Sequence, residues 1–307
     1  MPNFAHPIYN KIAHPHQILY RPMHVTVGIP TYKRPAFLNS CLASLLAQER
    51  WIAQIIIVTN GSVNDAIDET TLQLIEALET LHIDTLVLRS RNLVHSKRII
   101  GENAICKYVL ILDDDTVLGK NYLDLVSHFH WEQVGAISGT IQTPINPGYV
   151  DWSDEPVRFP EQEYCNRMIV ENGVIEWKDK FQFYMWGDGP RIFKAEFLGG
   201  TALFIRRELI ELWDDKTVRK GADGEWVIEG EEIDLSLSIR EAGYDLLYDS
   251  ARICWHLYAQ TGRTRRSNYK DRTDNWNYIL KKHGYPEIEE YPTVWTENLT
   301  PDHEPKI

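Results

Sequence analysis

The chain has 307 residues, enough for one large or two small domains around a sizeable core. Hydrophobic residues make up 43% and charged residues 25%, the balance of a globular protein, and the formal net charge is -12. That charge argues against life on nucleic acid or on an anionic membrane, because both call for a basic face. The four cysteines (Cys41, Cys106, Cys165, Cys254) lie far apart without a CxxC pair, which speaks against zinc or redox chemistry and for a reducing compartment. The first residues carry no apolar core of a signal peptide and no run of ~18 apolar residues occurs, so the expected setting is the cytoplasm.

Residues 1–22, rich in Pro and His, are expected to form an irregular arm. HVTVGIP (24–30) then reads as a buried strand ended by Pro30. FLNSCLASLLAQ (37–48) places Leu38, Cys41, Leu42, Leu45 and Leu46 on one helical face. IIIVTNGS (55–62) is a strand running into an Asn-Gly turn. An amphipathic helix follows over 65–81, a strand over 84–90, a helix over 96–107 and a strand over 108–113. Continuous apolar strands alternating with amphipathic helices predict an α/β fold, a mostly parallel Rossmann-like sheet flanked by helices. Such sheets bind ligands at the carboxyl ends of their strands, and Pro30-Thr31-Tyr32, Thr59-Asn60-Gly61 and Asp113-Asp114-Asp115 all fall there.

Beyond residue 142 the alternation breaks. Residues 143–195 mix Pro, Gly, acids and aromatics, including Trp186. Sheet-and-helix order returns with FLGGTALFIRRELIELW (197–213) and EGEEIDLSLSIREAGYDLLYD (229–249). The tail from residue 257 is polar and holds a basic cluster, Arg263, Arg265 and Arg266. No linker separates the halves, which reads as one compact unit with two lobes.

In ILDDDTVL (111–118) three adjacent carboxylates follow a buried strand. They repel one another, so a cation is expected among them, and Asp113 and Asp115 are placed to hold Mg²⁺ or Mn²⁺ through hard oxygen ligands. The pair also fits the nucleophile motif of haloacid-dehalogenase-type phosphatases. Those enzymes carry it after their first strand, however, and here three strands come before it. A sugar-nucleotide-binding module without catalysis is the other alternative.

Together VGIPTYKRP, IIIVTNGS, LDDDTVLGKNYL, FLGGTALFIRREL and EGEEIDLSLSIREAGYDLLYD resemble, in order, the motifs of inverting family 2 glycosyltransferases of the GT-A fold. The resemblance covers residues 24–256. It implies a nucleotide-sugar-binding lobe over 23–142, an acceptor-binding and catalytic lobe over 143–256, and a tail with a basic loop over 257–307. Pro30, Thr31, Tyr32, Arg34, Asn60, Arg98 (or its neighbour Lys97), Asp113 and Asp114 would meet the nucleotide. Asn60 replaces the usual aspartate and, as both donor and acceptor, leaves the base less defined than uracil. Asp113, Asp115 and His256 would hold the metal. Gly199, Gly200, Thr201 and Trp186 would face donor or acceptor, and Arg263, Arg265 and Arg266 would close on the diphosphate. Glu232 stands where the family has an aspartate as catalytic base, with Glu231 and Asp234 as rivals. The implied activity moves a hexosyl or pentosyl group from a nucleoside-diphosphate sugar, a UDP-sugar by preference, to a saccharide or glycoconjugate hydroxyl. Polysaccharide biosynthesis is the family's common setting. No nucleic acid partner is expected, and peripheral membrane contact through the tail is compatible with it.

Overall fold

The computed structural model describes residues 24–142, 164–165, 167–171, 174–178, 192–220, 226–228, 230–257 and 269–289. The expected arm (1–22), Trp186, and Arg263, Arg265 and Arg266 lie outside the described residues.

The first half alternates as its hydrophobic pattern predicts. β1 (Val25–Thr31), α1 (Pro35–Leu46), β2 (Ile52–Thr59), α2 (Glu69–Thr80), β3 (Asp84–Arg89), α3 (Leu93–Asn103) and β4 (Tyr108–Leu112) follow one another. Local chemistry sets the helix starts. Pro35 opens α1 with a φ suited to a first helical turn. Asp68 caps α2 by accepting the Thr71 N–H at 2.8 Å, and the Thr71 hydroxyl returns to the Asp68 backbone N–H, a capping box. Asn92 caps α3 by accepting from the His95 N–H at 2.7 Å. That cap starts the helix at Leu93 rather than at the expected residue 96.

Next come β5 (Thr116–Leu118), a 3-10 helix (Tyr122–His130) and β6 (Val134–Gln142). The later strands are β7 (Tyr164–Cys165), β8 (Arg167–Glu171), β9 (Val174–Lys178), β10 (Ile192–Ala195), β11 (Ala202–Arg206), β12 (Val218–Lys220) and β13 (Trp226–Ile228). The chain then forms α4 (Glu231–Glu241), β14 (Asp245–His256) and α5 (Tyr269–Lys282). The main sheet has ten strands in the order β3-β2-β1-β4-β11-β6-β14-β10-β7, with β5 paired to β14. Strands β3, β2, β1 and β4 run parallel, and β11 runs against both β4 and β6.

Strand periodicity divides the core into two layers. Ile55 and Ile57 of β2 join Val25, Val27 and Ile29 of β1 with Leu38, Leu42 and Leu45 of α1 and Ile75 and Leu78 of α2. Ile56 and Val58 face the other way, toward Val94 and Ile100 of α3, Trp213, and Leu235 and Ile239 of α4. Each such side chain withdrawn from water contributes about 1.5–3 kcal/mol. Among the described residues no helix is long and apolar enough to cross a membrane. Cys41, Cys106 and Cys254 are free and buried.

α5 is fastened to α4 through one carboxylate. Asp234 is fully buried and sits between Lys282 Nζ at 2.8 Å and His283 Nε2 at 2.9 Å, while His283 Nδ1 lies 2.7 Å from Glu241. Burial disfavours the charged His283 ring, but its hydrogen bonds to Asp234 and Glu241 outweigh that and raise its pKa. The stabilisation from this histidine is therefore complete below its unfolded value, about 6.5, and is lost as pH rises through the raised folded value. Asp234→Ala is expected to cost about 3 kcal/mol, because it removes two charge-assisted hydrogen bonds and leaves Lys282 to Asp214 and His283 to Glu241. Urea unfolding of wild type and variant checks it, and a loss below about 1 kcal/mol would reduce the clasp to an ordinary surface pair.

Candidate functional site

The carboxyl ends of β1, β2 and β4 meet at one sheet edge, as parallel strands require. The Asn60 N–H donates to the Thr31 carbonyl at 2.9 Å, joining the first two ends. Asp113 follows β4, and its N–H donates to the Thr201 carbonyl at 2.9 Å, which lays the Gly199-Gly200-Thr201 turn beside the acids. The Leu257 N–H donates to the Asp115 carbonyl at 2.8 Å, bringing in the end of β14 and with it His256.

The three aspartates point to different partners. Asp114 is fully buried and turned toward β1. Its Oδ2 accepts from the Thr31 hydroxyl at 2.6 Å and from Arg34 Nε at 3.2 Å, and its Oδ1 pairs with the Arg34 guanidinium. Burial pushes this carboxyl up to about 6, against the lowering pull of Arg34 and Thr31. Arg34 also reaches Asp115 Oδ2 at 3.1 Å, and His256 Nε2 lies 3.2 Å from Asp115 Oδ1. Asp113, Asp115 and His256 each offer a ligand atom within 4.8 Å of the others. Burial pushes Asp113 up to about 7; the charges of Asp115 and Asp114 add to the rise, while His256 and Lys97 oppose it. Within the protein itself, the Arg34 guanidinium offsets part of the repulsion among the aspartates, and Asp113, Asp115 and His256 stay close enough together to share a metal ion. Asp114 and Arg34, both assigned to the nucleotide by sequence, spend these groups on each other.

At the neighbouring turn, Tyr32 covers Gly61, where an added Cβ would lie 3.3 Å from the ring. Asn60 Oδ1 accepts from the Ser96 hydroxyl at 2.7 Å and from Ser90, so its carbonyl is engaged within the fold. Pro30 and Thr31 are buried at the end of β1.

The second acidic group sits on the first turn of α4. Gly230 precedes it at φ 80°, a left-handed conformation that glycine adopts without steric cost. Glu231 and Glu232 then occupy the helix N-terminus, where the dipole favours negative charge. The Ser236 hydroxyl ties this turn to the glycine turn by donating to the Glu232 carbonyl at 2.7 Å and accepting from the Leu198 N–H at 3.1 Å. A Cβ on Gly200 would come within 2.6 Å of Glu232 Cγ, so glycine is needed there for Glu232 to lie over the turn. Burial pushes the Glu232 carboxyl up to about 8; the adjacent Glu231 adds to the rise and Lys97 opposes it. Asp234, the other rival, is withdrawn into the clasp with α5.

Successive helical residues lie 100° apart, and α3 separates its two cations accordingly. Arg98 turns to Asp215 Oδ2 at 3.2 Å and to the Glu211 carbonyl at 3.3 Å. Lys97 points inward, 2% exposed, with Nζ 3.4 Å from Glu231 Oε1 and 4.1 Å from the centre of the Trp213 ring. Trp213 and Ser236 were not singled out by sequence. Trp213 ends an apolar run and Ser236 sits inside a helix, and neither type signals chemistry there.

The geometry therefore joins two acidic groups through a glycine turn: Asp113 and Asp115 with His256 on one side, Glu231 and Glu232 on the other. A haloacid-dehalogenase-type nucleophile would follow the first strand of its sheet, whereas Asp113 follows the fourth strand of the parallel series. No curated protein sequence matches the chain. Among solved structures, the fold is similar to GalNAc-T7 with UDP, GalNAc and Mn2+, at TM-score 0.60 and 14% identity, covering 84% of this chain and 48% of that one. It is also similar to S. aureus TarS 1-349 in complex with UDP-GlcNAc, at TM-score 0.52 and 14% identity, covering 85% of this chain and 66% of that one. The chain thus spans 48% of the first and 66% of the second, and at this identity the likeness is one of fold. The family model described as glycosyltransferase-like family 2 matches residues 22–276. A match over most of the sequence, on the fold of both those proteins, makes this chain a member of glycosyltransferase family 2 with the GT-A fold.

Proposed function

We propose that the protein transfers a sugar from a nucleoside-diphosphate sugar to a hydroxyl of a saccharide or glycoconjugate, inverting the anomeric carbon with the help of a divalent cation. One observation carries this reading: the Asp113, Asp115 and His256 cluster and the Glu231–Glu232 pair flank one glycine turn.

The cluster suits a cation such as Mn²⁺ or Mg²⁺. Two carboxylates supply hard oxygens and His256 supplies a borderline nitrogen. The Thr116 hydroxyl, buried beside Asp115, has no hydrogen-bond partner among the described residues, as befits a site that takes a further polar group. A cation bound there would offset the charge that develops on the leaving diphosphate.

The remaining work falls to side chains of the protein. Glu232, once deprotonated, accepts the proton of the acceptor hydroxyl. The hydroxyl oxygen bonds to C1 of the donor sugar as the bond from C1 to the phosphate oxygen breaks, and the electron pair leaves with the nucleoside diphosphate. A carboxyl raised toward neutral pH is a stronger base than an ordinary glutamate, which suits the task. A UDP-sugar is the preferred donor, in line with the uridine nucleotides in the two structures named above. Arg263, Arg265 and Arg266 are proposed to approach the diphosphate, and Trp186 the acceptor.

Titration calorimetry with UDP, GDP and dTDP, each with and without Mn²⁺, tests the donor half. Metal-dependent binding of one nucleotide is the expected result, and it names the base. A folded protein that binds none of the three would rule the reading out.

A further inference from the structure

Lys97 is the most enclosed cation among the described residues, and the steps above leave it without a task. Its ammonium lies against the face of Trp213, itself fully buried, and against Glu231 Oε1 at 3.4 Å. A buried ammonium persists only where partners offset its lost hydration. Here the charged partner, Glu231, belongs to the proposed catalytic pair. α3 inserts the cation between the two acidic groups: it touches Glu231, and its charge acts on both Glu232 and Asp113.

We propose that Lys97 is a positioning residue for glycosyl transfer: its ammonium, seated on the face of Trp213, holds the Glu231 carboxylate and so leaves Glu232 as the member of the pair that takes the acceptor proton. This rests on Glu232 being the base. Two like carboxyls side by side are interchangeable unless something distinguishes them. Lys97 contacts only one of them, and Gly200 packs against the other. Among the described residues, the charged groups that weigh most on Glu232 are Glu231 of its own helix and Lys97 of α3. The turn from Leu198 to Thr201 carries no charge, and Lys282 and His283 of α5 are engaged by Asp234, Asp214 and Glu241. Removing Lys97 therefore leaves the negative charge of Glu231 unopposed, and Glu232 should hold its proton more tightly.

Carboxyl titration by NMR, on protein carrying ¹³C in its glutamate side chains, reads this without substrate. The Glu231 and Glu232 resonances are assigned by their loss in Glu231→Gln and Glu232→Gln. Lys97→Met is expected to raise the Glu232 midpoint by about one pH unit, a tenfold tighter proton. Lys97→Arg, which keeps the charge, should move it by less than about half that shift. An unmoved midpoint in folded Lys97→Met overturns the proposal. Should Lys97→Met not fold, Glu231→Gln decides: a midpoint lowered by about one unit supports the coupling, and an unmoved one overturns it. In release of nucleoside diphosphate from the donor, Lys97→Met should lose kcat at pH 7, regain it at higher pH and keep its donor KM. A purely structural salt bridge would not produce that profile. Full transfer by Glu232→Gln would instead overturn the base assignment, whichever way the Lys97 titration falls.

Discussion

Glu232→Gln is expected to lower sugar transfer by about 100- to 10,000-fold, the range for loss of a general base, while nucleotide binding stays within about twofold of wild type. The amide has the shape of the carboxylate and keeps the contact with Gly200, but it cannot accept the proton. The wild-type rate should climb with pH as Glu232, raised to about 8 by burial and by Glu231, loses its proton. Stability should move the other way. A carboxyl raised in the fold binds its proton more tightly folded than unfolded, so unfolding becomes easier as pH rises from its ordinary value of 4.5 toward about 8. Glu232→Gln, which never ionises, is therefore expected to melt higher than wild type at pH 8. A pH–rate profile and a melting curve at that pH check both halves. Undiminished transfer by the variant would remove Glu232 from the mechanism.

Asp115→Ala is expected to abolish Mn²⁺-dependent nucleotide binding, weakening it by more than about 100-fold, since loss of a supporting outer-shell group alone costs 10- to 100-fold. Asp115 is the most heavily engaged member of the cluster, with Arg34 on one oxygen and His256 on the other. Without metal, two opposing effects meet in the variant: Arg34 and His256 lose a partner, and Asp113 and Asp114 lose a repelling neighbour. The metal-free melting temperature should consequently change little. With Mn²⁺ and nucleotide at 100 times Kd, the wild type gains about 2.7 kcal/mol, and that gain should vanish in the variant. Metal-dependent binding that survived in a folded Asp115→Ala protein would move the cation elsewhere.

The parallel half of the fold was legible because its signals are local. Apolar runs such as Ile55–Val58 are buried strands whatever lies around them, and the polar residues that end them must gather at one edge. Asp113, Asp115, Gly200 and Glu232 were legible as candidates through the family motifs that carry them, and His256 through the likeness of its position at the end of the resemblance. Helix phase was not. Lys97 and Arg98 are equivalent as sequence, and only the packing of α3 decides that one faces Glu231 and the other Asp215. The pairing of Arg34 with Asp114 was hidden as well, because it joins residues 80 apart and resembles neither a helix nor a strand pattern. Asp234 carries the same chemical type as its neighbours in EGEEID, and only the docking of α5 takes it out of competition.

The place of β11 in the sheet bears on how the protein is made. It lies between β4 and β6, although both end sixty residues or more before it begins. A nascent chain that has emerged only through β6 has two strands without their shared neighbour, and the facing edges of β4 and β6 stay unpaired until residues 202–206 arrive. Exposed strand edges invite association with other chains. A fragment ended at residue 142 should therefore aggregate rather than behave as a separate nucleotide-binding unit, an outcome that would make the two lobes parts of one folding unit. The strand that closes this gap is the one that directly follows the Gly199-Gly200-Thr201 turn, so the sheet is completed by the same segment that sets the two acidic groups side by side.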